Sequence, residues 1–407
     1  MFDVIVVGAR CAGAPAAMLL ARQGHRVLLV DRARFPSDTL STHFLPPRGV
    51  AKLAAWDLLE RLRATGCPAI NPITFDTGQA AVTADSEPVD GIVEAFCPRR
   101  TVLDRLLVDA AVEAGCELRE RTSVDGLVFE DGRVAGIRFN RGGRRDLVER
   151  ARLVVGADGI RSRVARLVRA PAYDRHPPLV GVFYAYWRGV AAQSAEFHIR
   201  EGRHLFVFPT HDDLTCIYVS WRAGEFGAYR SGTEGNYLRT LDLVPDLAER
   251  VRAGERVAPF RGTNALPNFY RRPHGPGWAL VGDAGHHKDP TTGMGMSDAF
   301  RDAELLAAAV HDGLSGVAPI GDALERYELE RNRRSRHIYQ WTLRAAALAD
   351  PAPMAPFLEA IAGDPVERTR FMSVVAGTVP FWEVLGADNQ RRVLGHHASS
   401  AGPGGQS

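Results

Sequence analysis

Phe2-Asp3-Val4-Ile5-Val6-Val7-Gly8-Ala9-Arg10-Cys11-Ala12-Gly13 opens the chain and decides its fold. The run from Phe2 to Val7 is apolar and rich in β-branched side chains, as a strand buried on both faces must be, and it ends directly in glycine. A helical pattern follows from Ala14 to Gln23, and Arg26-Val27-Leu28-Leu29-Val30 reads as a second strand that closes on Asp31. This is a βαβ unit with an acidic residue roughly 20 positions after the glycine loop, which lays a pyrophosphate on a helix N-terminus and a carboxylate on an adenosine ribose. An adenine-bearing cofactor is expected, held by Gly8, Arg10, Cys11, Ala12, Gly13, Asp31 and Arg32. Arg10 stands where the fingerprint usually has its middle glycine. Its guanidinium either reaches the phosphates or crowds the loop.

Far downstream, Leu280-Val281-Gly282-Asp283-Ala284-Gly285-His286-His287-Lys288-Asp289-Pro290 leads through Gly293-Met294-Gly295-Met296 into an amphipathic helix beginning near Ser297. A glycine loop ending at a helix N-terminus offers free N–H groups and a positive dipole end. Those features suit the N1/C2=O edge of a reduced, anionic isoalloxazine, and Lys288 either adds positive charge there or pairs with Asp289 at the surface.

Size and composition narrow the class. A chain of 407 residues that is 45% apolar and 24% charged is of ordinary globular composition, and a net charge of +2 favours neither nucleic acid nor an anionic membrane. The five cysteines are scattered with no metal spacing, so a reducing compartment is expected and no metal is assigned. His286 and His287 are adjacent and so make a poor metal pair. A strand starting at residue 2 leaves no room for a signal peptide, and no apolar run is long enough to span a bilayer. A cytoplasmic monomer or homodimer with no integral membrane segment is expected.

The expected fold is α/β: a Rossmann-like cofactor domain, an inserted antiparallel β-sheet domain and a C-terminal helical region. Residues 1–75, 98–178 and 265–317 are assigned to the first, 76–97 and 179–264 to the second, and 318–397 to the third, with 398–407 a disordered tail. A helix is expected from about Gly49 to Ala64 and another from Cys97 to near Gly115. A hairpin turns at Glu130-Asp131-Gly132, and strands cover Gly181–Trp187, Ala195–Arg200, His204–Phe208 and Leu214–Trp221.

The glycine loop with Asp31, Gly156-Ala157-Asp158-Gly159, and Gly282-Asp283 through Gly295, in that order, resemble the flavin-dependent monooxygenases of the aromatic hydroxylase type. Their relatives are the geranylgeranyl reductases and flavin halogenases, and the likeness covers roughly residues 1 to 310. The resemblance implies bound FAD, with Asp31 on the ribose, Arg100 along the cofactor and Asp283 on the ribityl chain. It also implies that the Asp158 region serves both FAD and a passing NAD(P)H. Val124, Gly282, Gly293, Gly295 and Met296 complete the expected cofactor contacts. The departures are Arg10 and Ser297, where hydroxylases often carry asparagine.

The resemblance further implies transfer of oxygen from O2 through a C4a-hydroperoxyflavin to a small, aromatic or polycyclic substrate. His43, Arg48, Lys288 and Pro290 are the candidates nearest the chemistry. Alternation places Tyr184 with Tyr186 and Phe206 with Phe208 on single strand faces, and with His198 these are the candidate substrate contacts. The same rings would also serve as ordinary core between sheet and helices. His43 or His198 could be the base for a phenol. Saturation of prenyl C=C bonds is the main alternative, since Leu205-Phe206-Val207-Phe208-Pro209 partly matches the Y-x-W-x-F-P segment of those reductases. A halogenase would need a W-x-W-x-I-P motif and a free lysine, and the two lysines present are Lys52 and Lys288. A protein that only senses flavin would not need an inserted sheet.

Overall fold

The computed structural model describes residues 1–400. Its first sheet is built on the opening strand Phe2–Val7, which pairs in parallel with Val27–Val30 on one side and with the end of Arg144–Gly156 on the other. Glu117–Arg119 and Trp278–Leu280 extend it in parallel at its two sides. Val4, Ile5 and Val6 have no exposed surface, since one face of the strand packs on helices and the other on the ladder of Thr122–Glu130 with Arg133–Arg141. The strand Arg144–Gly156 leaves the sheet at its start to form an antiparallel ladder with Arg133–Arg141, itself the partner of Thr122–Glu130 across the expected hairpin.

The second sheet runs Glu255–Arg256, Val180–Arg188, Leu214–Arg222, Arg203–Thr210, Ala195–Arg200, Ile73–Asp76, Ala81–Ala84. It is not wholly antiparallel, because Ala195–Arg200 pairs in parallel with Ile73–Asp76, a strand supplied by the much earlier segment. One face carries Tyr184, Tyr186, Phe206, Phe208 and Tyr218 and packs on the C-terminal helices through Phe357, Phe371 and Phe381. The other carries Phe183, Trp187, Val207 and Trp221 and packs on the helices Thr233–Leu241 and Pro245–Ala253. Those two helices were not among the expectations, although Pro245 at a first turn, Asp246 after it and Arg250 and Arg252 in the last turn are helix boundary signals.

Two further expectations need correction. The helix expected from Gly49 to Ala64 is two, Pro47–Ala55 and Leu59–Arg63, broken where Asp57 takes a left-handed φ of 63°. The last helix, Ala387–Ser400, runs three residues into the tail expected to be disordered, and residues 401–407 lie outside the described residues. No helix among the described residues is long and apolar enough to cross a membrane.

Alternation was right for the strand Ala195–Arg200, but His198 faces away from the substrate candidates. Its neighbour Phe197 joins the Tyr184 face, so His198 lies on the opposite one. There Nδ1 is 2.8 Å from Asp76 and Nε2 is 2.9 Å from Glu196. Burial alone would lower its pKa, but hydrogen bonds to the two carboxylates outweigh that and raise it. A raised folded pKa means that the stabilisation is complete below about pH 6.5, the unfolded value, and is lost as pH rises through the folded one. Urea unfolding at rising pH should therefore show a decline in stability that His198→Gln removes. A decline of equal size in both proteins would refute this role.

Candidate cofactor cleft

A cleft of about 590 Å³ runs from the end of the second strand, at Asp31, to the loop before the helix Gly295–Leu314. At the first end the chain turns so tightly that side chains are excluded. Gly8 has φ +104°, and a Cβ there would lie 2.4 Å from the Ala157 carbonyl oxygen; one on Gly13 would lie 1.7 Å from the carbonyl oxygen of Gly8. The amides of Arg10, Cys11 and Ala12 donate to no atom of the chain among the described residues, and the helix Gly13–Arg22 begins directly behind them. Unpaired N–H groups at the start of a ten-residue helix form a phosphate cradle, so the residues present fit a dinucleotide.

Asp31 accepts from the Ala9 and Ala33 amides, both at 2.8 Å, and so ties the glycine loop to the second strand while lining the cleft. Arg10, Cys11, Ala12, Arg32, Arg100, Val124 and Asp158 also line it, whereas Gly13 stands behind the loop. Asp158 accepts from the Arg163 and Val164 amides, which makes it an N-terminal anchor for the helix Arg163–Leu167 as well as a cleft residue. Burial pushes the Cys11 thiol up to about 12, so it is an unreactive wall residue.

The second motif meets the first directly. Gly282, with φ +60°, sits so close to the glycine loop that a Cβ on it would be 2.6 Å from that of Ala12. Asp283 is exposed and lines the cleft, followed by Lys288, Asp289, Pro290, Gly293, Gly295 and Met296. Lys288 does not pair with Asp289. It is buried in an ion pair with Asp298, which also binds Arg301 at 2.7 Å and Arg48 at 3.4 Å. Although burial pushes the Asp298 carboxyl up, Arg301, Lys288 and Arg48 outweigh it and hold it well below the usual carboxylate range. Asp289 instead accepts from the Asn268 side chain at 2.6 Å, and burial raises its pKa to about 6.

Lys288, Arg48 and Arg301 converge on Asp298, with Asp302 holding Arg301, and of these groups Lys288 is the one that lines the cleft, where its ammonium is the charge presented. A reduced flavin anion would be stabilised by it. Lys288→Met should lower the flavin midpoint potential by about 30 mV, or about 1.4 kcal/mol for a two-electron couple. An unchanged potential would retire the idea.

The segment after Asp31 crosses from the cleft to the inserted sheet. Ser41 and Thr42 line the cleft, and Phe44 packs on Gly293 and stacks on Phe208 at 5.0 Å. His43, between them, is fully buried with φ 64°, and its Nε2 is 2.8 Å from the Tyr186 hydroxyl. Burial, reinforced by Arg100 and Arg99, lowers its pKa to about 3, so it is a neutral hydrogen-bonding group and a poor general base. Arg48 does not line the cleft; it donates to the Gly377 carbonyl at 3.2 Å and pairs with Asp298. Phe206 stacks on Tyr218 at 5.3 Å, so Phe206 and Phe208 serve the core between sheet and helices. His286 stacks on Tyr270 while His287 bonds the Pro267 carbonyl, so the two rings point apart.

Sequence reasoning missed Asp104, Asp298, Arg301, Ser41, Thr42 and the cleft arginines Arg161, Arg163 and Arg166. Asp104 is four residues after Arg100, and Asp298 three before Arg301, spacings at which opposite charges meet on a helix.

A family model described as FAD binding domain matches residues 1–342. The digeranylgeranylglycerophospholipid reductase of Methanocella arvoryzae is 27% identical over 335 residues, covering 81% of this chain and 82% of that protein. The 6-methylpretetramide 4-monooxygenase of Streptomyces rimosus is 29% identical over 323 residues, covering 77% and 76%. Among solved structures, P. aeruginosa PqsL in complex with 2-aminobenzoylacetate superposes with a TM-score of 0.76 at 27% identity, covering 88% of this chain and 99% of that one.

Proposed function

The chain belongs to the FAD binding domain family and is an FAD-dependent oxidoreductase, and from that premise we propose that it is a monooxygenase acting on a hydroxyl- or carbonyl-bearing aromatic molecule. When bound and reduced, FAD supplies the electrons that activate O2. Gly8 and the free amides of Arg10, Cys11 and Ala12 would hold its phosphates, Asp31 its ribose, and Asp283 the ribityl chain. The protein's own part is to place the substrate and keep water out. Because the chain has one dinucleotide βαβ unit, the hydride comes from NADH or NADPH bound in passing.

The seam at residues 41–44 carries this reading. His43 brings a neutral imidazole to the boundary between cofactor cleft and aromatic sheet, with Tyr184 and Tyr186 edge-on at 5.3 and 5.7 Å. Its Nδ1 is buried and makes no well-formed hydrogen bond among the described residues, the Ser41 backbone being the one chain group that favours a proton on the ring. A buried polar atom left without a partner costs about 1–3 kcal/mol, which a polar substituent on a substrate would recover and an isoprenoid chain would not. The aromatic rings around it suit a planar substrate.

The second reading, saturation of prenyl C=C bonds, rests on the 27% identity to the archaeal reductase. A lysine-dependent halogenase has less support, since Lys52 is paired with Glu304 and Lys288 with Asp298. The readings separate in one assay with NADPH or NADH, a naphthol, and a geranylgeranyl lipid under isotopically heavy O2. Heavy oxygen in the naphthol product supports monooxygenation; saturation of the lipid with no oxygen incorporated, persisting in a parallel anaerobic reaction, would replace it with the reductase.

A further inference from the structure

The residue that breaks the glycine fingerprint has a defined place. Arg10 is turned out of the loop and pairs with Asp104, while donating to the Ser37 carbonyl at 3.2 Å and the Ser37 hydroxyl at 2.8 Å. Its guanidinium also lies over the Phe35 ring, 5.4 Å from the centroid. Asp104 is completely buried and also accepts from Arg100, at 3.0 and 2.8 Å. One buried carboxylate thus aligns two guanidiniums, both of which line the cleft. Two cations share one anion, so a positive charge remains for a ligand. The carboxylate is not free to take up that charge by moving, because both its oxygens are occupied.

We infer that Arg10, held by Asp104, is a diphosphate-positioning residue that takes over the work of the missing middle glycine. In the usual fingerprint that glycine lets phosphate oxygens approach the backbone. Here the side chain leaves the loop, so the amides stay open, and its cation stands at the loop's edge, where a forked guanidinium suits phosphate. The inference rests on the cofactor family and not on oxygenation, so it stands or falls independently of the monooxygenase reading.

Arg10→Gly restores the fingerprint and removes the cation, which makes it a decisive variant. If Arg10 merely crowded the loop, the glycine would tighten FAD binding. If Arg10 positions the diphosphate, it should weaken it. Apoprotein of each form is titrated with FAD by flavin fluorescence at two salt concentrations. Arg10→Gly should bind FAD at least tenfold more weakly, with a shallower dependence on salt because one charge contact is gone. Arg10→Lys, which keeps charge but loses the fork, should fall between the two, and Asp104→Asn should weaken binding by freeing both guanidiniums. Circular dichroism of each apoprotein separates loss of fold from loss of affinity, and Arg10→Gln serves in its place should the glycine variant not fold. An affinity for FAD that is unchanged or tighter in a folded Arg10→Gly or Arg10→Gln protein overturns the inference.

Discussion

Gly13→Ala is expected to purify without flavin and to show an affinity for FAD lowered by at least ~100-fold, about 2.7 kcal/mol. The added Cβ would stand 1.7 Å from the Gly8 carbonyl oxygen and 2.9 Å from the Ala157 Cβ. The first obstacle is backbone, so no side chain can swing aside. The loop must open, and with it go the unpaired amides of Arg10, Cys11 and Ala12 that make the cradle. Overpacking of this kind costs about 1–3 kcal/mol even where side chains can adjust. Gly321→Ala is the control. It lies in the helix Ile320–Ala345 with nothing near its Cβ position, and it should keep full flavin with neutral or slightly raised stability. Flavin content after purification and an FAD titration decide the matter; a Gly13→Ala protein that stays yellow and stoichiometric refutes the cradle.

Asp298→Asn should destabilise the protein by about 3–5 kcal/mol, a large share of the roughly 5–15 kcal/mol a folded domain has in total. The substitution keeps the shape of the side chain but strips the counter-charge from Lys288, Arg301 and Arg48, the first two nearly inaccessible to water. Breaking one partner of a buried ion pair costs far more than the pair contributes, because the surviving charge stays desolvated. The double variant with Lys288→Met should recover part of the loss, since it removes one of the stranded cations. Linkage fixes the pH behaviour. Because the Asp298 carboxyl is held below its ordinary value, its contribution is present above about pH 4 and is lost as pH falls through the folded pKa. The Asp298→Asn protein should lack that acid-limb dependence. Urea unfolding measures both effects, and a loss under about 1 kcal/mol would mean that the ion-pair network contributes little to the fold.

The elements legible in the sequence were those written in local spacing. Phe2 to Gly13, Asp31 and the Gly282-Asp283 loop carry their meaning within a few residues, because a tight turn or a helix start constrains its immediate neighbours. What pairs with them was not legible. Nothing near Arg10 names Asp104, and nothing near Arg48 names Asp298; those partners are set by packing between elements distant in sequence. His198 shows a different limit. Alternation shows that it and Phe197 face opposite ways, but which way is inward depends on the neighbouring strand, where Phe206 is aligned with Phe197. His43 follows two residues that line the cofactor cleft, and its weakness as a base comes from burial and from Arg100 and Arg99, which periodicity does not report.

The most direct test of the monooxygenase account is a stopped-flow experiment on the purified holoprotein. The flavin is reduced anaerobically with NADPH or NADH, then mixed with oxygenated buffer with and without a naphthol. The account predicts a transient whose spectrum matches neither reduced nor oxidised flavin, longer-lived when the aromatic ligand is bound and shortened in His43→Phe. Direct return to the oxidised spectrum with no transient, even with ligand present, would contradict it and favour the C=C reductase.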